Sequence, residues 1–559
     1  MAYPQPQHGG HADAYYQQGP QDQLKGFGYQ QGPQAFQQNG NGFSNSYGQQ
    51  YQQQQPQYQQ YQQFDGSTGP LPQQPPNYGN SAPVGAPNGT GKMDLGFEQA
   101  FTIDRPKWND LWAALLFLAT LLGFGAVSGL AIHGYAVKGS GGIYGSRNVV
   151  SLNSNTIVLF AFVLAVAFVV SAAYFWIIRA FTKQAIWITG ILQIVFGVGT
   201  AIFYLARGWY SAGIVNLVFA VFYIICFISW IPRIPFSVLI LQTVIDVSKN
   251  YGHVFVVSAI GGFVATAFGA WFSVTMVAVY VKYYPNSEGC DAGGGACSKA
   301  KVIGLLVFIT FAAYWITEVI KNVIHVTISG VYGSWYFCSQ KPSGVPHGAT
   351  RGAFKRSVTY SFGSISFGSL LVAIIQLLRQ ACSIAQQNEA AQGNIVGAIF
   401  FCCLQCFIGL LDWAIQFINE YAFSYIALYG KAYIPAAKTT WTMMKDRGID
   451  ALVNECLINP VLTMGAVFVA YLCSLLAYLY LTFTAPKYND GNAFTPVVMA
   501  FAFLIGLQIA NIFLVPIKSG VATLFVAMAF DPQVMINEYP DLWTRLVAVY
   551  PHVQQAVHV

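Results

Sequence analysis

Apolar and polar positions fall in long blocks along this chain. From residue 110 to residue 528, stretches of about 20 or more mostly apolar residues follow one another, broken by short polar turns. A helix of that length crosses a hydrocarbon core of about 30 Å. The blocks predict ten spans, near 110–132, 156–178, 184–206, 210–231, 253–282, 302–338, 358–385, 395–430, 459–484 and 494–528. Residues 235–247 are too short to cross, and read as an interfacial helix or an extension of the fifth span. The short alternating strands of a β-barrel do not occur. The expected fold class is an all-α polytopic membrane protein. In the first span, Gly125 and Gly129 stand four apart, which predicts a close helix contact.

Before the first span the pattern disappears. Residues 1–95 are Gln, Tyr, Gly, Pro and Asn, as in YGQQYQQQQPQYQQYQQF. Too few aliphatic side chains occur there to offset the entropy of ordering, so a disordered cytosolic tail is predicted. The expected organisation is this tail, a helical bundle over 96–530, and an aqueous, cytosolic C-terminal tail over 531–559.

Composition supports the class. Of 559 residues, 55% are hydrophobic and only 9% charged, against roughly 25% charged in soluble domains. The net charge of +6 comes with no dense basic patch, so nucleic acid is not an expected partner. No HExxH, Walker or GxSxG signature is present. An enzyme, an ATP-driven pump, a cofactor and a metal are therefore not expected.

Charge placement orients the spans. With both termini inside, eighteen of the 27 Lys and Arg residues fall on inner segments, Lys518 counted among them. The positive-inside rule favours this arrangement. It also makes 302–338 one overlong helix, because splitting it would move the basic stretch 339–357 outside. The same choice applies to 395–430. Cys290 and Cys297 then lie in an outer loop, where a disulfide between them is expected to persist. The other eight cysteines, including the Cys403–Cys406 CxxC pair, sit in apolar runs and read as buried small hydrophobes.

Two spans carry polar residues that do not belong in lipid. Glu318, Lys321, Asn322 and His325 recur at helical spacing in the sixth, and Asp412, Gln416 and Glu420 in the eighth. A charge at the bilayer centre costs about 2.5–3.5 kcal/mol on insertion scales, so such residues usually face protein or a water-filled path. The two stripes imply a substrate path between the sixth, seventh and eighth spans. Acidic groups there would attract a cation, and Trp315 and Trp413 could offer ring faces to a quaternary ammonium. A polar network that merely locks helices together is the competing reading. In the seventh span, Gly363 and Gly368 stand among serines, a pattern for close packing.

Six stretches, in order, carry a family resemblance: Pro106-Lys107-Trp108-Asn109-Asp110, IPRIPF (231–236), EVIKNVIHVT (318–327), SFGSISFGSL (361–370), YAFSYIALYGK (421–431) and GVATLFVAMAFDP (520–532). Together they resemble the choline transporter-like family, and the Gln-rich tail resembles its fungal branch. The resemblance implies ten spans, cytosolic termini, a plasma-membrane location and a small organic cation such as choline or ethanolamine as substrate. It attaches this role to Glu318, Asn322 and His325. The alternative from another class is a non-transporting membrane scaffold or sensor that uses the Gln-rich tail as an interaction arm.

Overall fold

The computed structural model describes residues 107–137, 154–208, 210–251, 253–283, 298–342, 344–446, 456–484, 495–551 and 553–556. The N-terminal tail and the Cys290–Cys297 pair fall outside them. Among the described residues there is no strand, and ten helical stretches are long and apolar enough to cross a membrane. This follows from the solvent. In hydrocarbon each backbone N–H and C=O must be satisfied within its own segment, which a helix does.

The helices are α1 (Leu111–Val137), α2 (Ser154–Ala180), α3 (Thr182–Ala206), α4 (Tyr210–Trp230), α5 (Ile234–Asn250), α6 (His253–Tyr283), α7 (Lys299–Cys338), α8 (Ala349–Val358), α9 (Phe362–Ala391), α10 (Ile395–Tyr429), α11 (Tyr433–Asp446), α12 (Ile458–Thr484), α13 (Thr495–Phe530), α14 (Pro532–Glu538) and α15 (Pro540–Val549). The overlong sixth span is a single helix: α7 has 40 residues, about 60 Å at 1.5 Å per residue. It packs against α1, α6, α8, α9, α10 and α13. Segment 235–247 forms a helix of its own, separate from the fifth predicted span. Ile231–Arg233 forms a 3-10 turn, and α5 then packs against α3, α13 and α15. Ile240, Leu241 and Ile245 on α5 are buried, and its Val244 carbonyl accepts a 2.9 Å bond from Tyr332 Oη of α7.

The most enclosed helix is α13. From Ile512 to Ala529 every residue except Lys518 is buried. Pro516 stands inside this run. Lacking an N–H, it leaves the carbonyl four residues earlier without its helical donor. Ser258 Oγ of α6 donates to that carbonyl, Ile512 O, at 3.2 Å.

Two sequence expectations change. A Cβ built on Gly125 or Gly129 meets nothing within 4 Å, so the close contact of α1 is made elsewhere. Ser128 Oγ on the same helix receives Trp271 Nε1 at 2.7 Å and lies 2.8 Å from Thr275 Oγ1 of α6. Cys402, Cys403 and Cys406 are exposed on the bundle surface rather than buried, because their part of α10 presents that side away from neighbouring helices. The C-terminal stretch folds back: Met535 and Leu546 are buried, and Tyr539 Oη donates to Trp335 O of α7 at 2.9 Å.

Candidate functional site

The polar stripe of α7 forms three successive contacts along the helix. First along the helix, Glu318 is buried and its carboxylate lies 2.7 Å from Lys321 Nζ. Gln376 Nε2 of α9 reaches the same carboxylate at 3.5 Å. The i,i+3 spacing lets the ammonium fold back onto the acid, which lowers the cost of both charges. One step further, Asn322 Nδ2 donates to Ser369 Oγ of α9 at 2.9 Å.

His325 lies deeper still. Its Nε2 is 2.9 Å from the carbonyl of Glu420 and 3.2 Å from Ser424 Oγ on α10. Its Nδ1 is 2.7 Å from Ser519 Oγ on α13. A carbonyl only accepts, so Nε2 carries the proton and donates to it. Nδ1 then accepts from the Ser519 hydroxyl. Both nitrogens are used by a neutral ring, and one side chain holds α7, α10 and α13 together.

On α10 the predicted stripe splits. Asp412 is buried, accepts from Gln416 Nε2 at 2.9 Å and lies 3.7 Å from Arg379 Nη1 of α9. Gln416 is exposed. Trp413 is 63% exposed and stacks along its own helix on Phe417. Glu420 turns toward α12, where Asn459 Nδ2 donates to its two oxygens at 3.0 and 3.1 Å. The charges of Lys518 and Lys321 both act on Glu420. Lys321, Glu420 and Lys518, from three different helices, are each only partly buried.

Trp315 stands apart from this arrangement. It is fully buried among Phe117 and Phe311, and its Nε1 donates to Ser366 O at 3.0 Å. Its ring is therefore occupied by core packing.

Several residues of the site escaped sequence reasoning. Ser369 is one of four serines in SFGSISFGSL, and Ser424 and Ser519 are lone hydroxyls among mostly apolar neighbours, all weak signals. Asn459 stands at the start of the predicted span 459–484, where a polar residue is ordinary. Lys518 was counted as an inner charge, yet it lies within the tenth candidate span, Ala502–Phe530. A Pro-Ile-Lys-Ser-Gly run inside 36 helical residues was the available clue.

The motif before α1 is a structural latch. Asp110 Oδ2 accepts from Ser364 Oγ at 2.7 Å and from the backbone N–H of Tyr433 at 2.8 Å. Asn109 Nδ2 donates to Gly430 O at 2.8 Å. Gly363 permits this, since a Cβ there would lie 2.2 Å from Asn109 O.

Ten membrane-length helices that gather the carboxylates of Glu318, Asp412 and Glu420 with the His325 imidazole define a polytopic helical membrane protein with a polar centre. The comparisons with known proteins are specific. Residues 214–533 match the profile of the family described as plasma-membrane choline transporter, and the chain belongs to that family. It is 59% identical to Protein pns1 of Aspergillus fumigatus, over 87% of this chain and 95% of that protein. It is 54% identical to Protein PNS1 of Neurospora crassa, over 88% and 91% of the two chains. With Protein PNS1 of Saccharomyces cerevisiae it shares 44% identity, over 85% and 89%.

Proposed function

We propose that this transporter carries choline or a related small organic cation across the plasma membrane. The termini lie in the cytosol, and the path runs between α7, α9 and α10, with α13 closing it. The observation that carries the reading is the trio Lys321, Glu420 and Lys518. Each of these residues is partly open, and α13 is buried from Ile512 to Ala529 except at Lys518. A partly open acid within the field of two amines is a place that attracts a mobile cation. Glu318, bound by Lys321, offers a second such place along the same helix. Asn322 and His325 fix the backbone around it, and Asp412 with Arg379 marks the outer continuation. The family's description supports choline as the cargo and the plasma membrane as the location. The excess of Lys and Arg on inner segments supports cytosolic termini.

The test is uptake of labelled choline and ethanolamine into proteoliposomes holding the full chain, with Glu318→Gln alongside. Saturable uptake is expected, lowered about tenfold by the variant if the carboxylate contributes about 1.4 kcal/mol to passage. Well-folded protein that takes up neither compound would overturn the choline reading. A Glu318→Gln protein with unchanged uptake would remove Glu318 from the path.

A further inference from the structure

We propose that α8 and α11, with the latch that joins them, form a docking surface for anionic phospholipid headgroups.

On α8, Ala349, Ala353 and Ser357 are buried at successive i+4 steps. Ser357 Oγ lies 2.8 Å from Thr327 Oγ1 of α7. The opposite face is therefore turned outward. It carries Arg351 and Lys355 along one edge and Phe354 and Val358 along the other, all exposed. Helical geometry separates the two edges by about 60° (100° per residue), so one half of the free face is basic and the other apolar.

The same division recurs on α11. Tyr433, Ala436 and Thr440 are buried. Ile434 and Trp441 are 61% and 54% exposed on the outward side, next to exposed Lys438 and Lys445. Two helices from different parts of the chain thus present the same mixed face.

The latch places them at one end of the bundle. Asn109 N donates to Tyr360 O, just beyond α8, at 3.3 Å. Asp110 receives the Tyr433 N–H, at the start of α11. Just before these anchors Lys107 and Trp108 are exposed, and the Trp108 ring meets Tyr360 edge-on at 5.4 Å. Basic side chains beside exposed aromatic and aliphatic ones suit the boundary where acyl chains meet phosphates. Water alone would leave the apolar half unsatisfied, and an anionic headgroup suits the positive charge of Arg351, Lys438 and Lys445 as a neutral one does not. The cytosolic leaflet is the anionic one, which agrees with the termini-inside orientation.

The test uses the purified full-length chain in detergent, given phosphatidylserine or phosphatidylcholine, with bound lipid counted by native mass spectrometry. Arg351→Gln/Lys438→Gln/Lys445→Gln is compared with a control, Lys299→Gln/Lys301→Gln, at the other end of α7. We expect the wild type and the control to retain phosphatidylserine selectively and the triple variant to lose that selectivity. Each Lys or Arg contributes about a fivefold preference for an anionic surface. All of the changed residues are exposed, so melting in detergent alone should be unaltered. Quenching by lipids brominated on the acyl chain should drop in Trp441→Phe. Equal retention of the two lipids by the wild type, or undiminished selectivity in the triple variant, would overturn the proposal.

Discussion

Asp110 shows how much one side chain can hold. It is the one described non-glycine residue with a positive φ, 51°, a conformation that Asp and Asn tolerate better than other side chains. Its carboxylate satisfies a hydroxyl of α9 and the first backbone N–H of α11. Asp110→Ala removes both bonds and adds backbone strain. Asp110→Asn keeps an acceptor and the backbone preference. We expect the alanine variant to lose about 1–3 kcal/mol of stability, the cost of stranding a partly buried donor. The asparagine variant should stay close to wild type, as read by thermal unfolding in detergent. His325 follows the same logic in the interior. The sequence made it a candidate because an imidazole in an apolar run needs partners, but gave no clue that the partners were a carbonyl on α10 and a hydroxyl on α13.

Among the elements, α9 and α13 set the packing. The SFGSISFGSL stretch of α9 was legible as a close-packing surface, and its glycines do act that way. A Cβ on Gly368 would lie 2.5 Å from the Tyr433 ring. Its serines do more, because Ser364 and Ser369 bond to the latch and to Asn322. In α13 the interruption at Pro516 is matched by Ser258, across the bundle on α6. Ser258→Ala would leave Ile512 O unsatisfied inside a buried helix. We expect it to lower stability by about 1–2 kcal/mol, and Ser258→Thr, which keeps the hydroxyl, to lose less. A melting series of the two variants beside wild type checks this. Equal melting of the alanine variant and wild type would show that Pro516 needs no such support.

For the whole molecule, the hydrogen-bond partners described for Glu318, His325 and Glu420 all lie between Glu318 and Ser519. A chain lacking residues 1–95 is therefore expected to retain full uptake in proteoliposomes. Loss of uptake in a folded, membrane-inserted truncation would favour the scaffold reading, in which the Gln-rich tail is the working part.

The number of spans, their approximate limits and the length of α7 were determined by the sequence alone. The free energy of placing a residue in hydrocarbon is largely a property of that residue, and it sums along the chain. The same reasoning found Glu318, Asn322 and His325, which are conspicuous because they are costly in lipid. Only the tertiary structure decided which helices meet and what each polar group faces. It put Trp315 in the core and Trp413 on the surface, although both are tryptophans in apolar runs, and it brought Asn459 to Glu420 from a helix close to the end of the chain. Those outcomes depend on pairs of residues far apart in sequence. Hydrogen-bond partnership and helix packing are properties of the pair, and no single stretch of chain contains them.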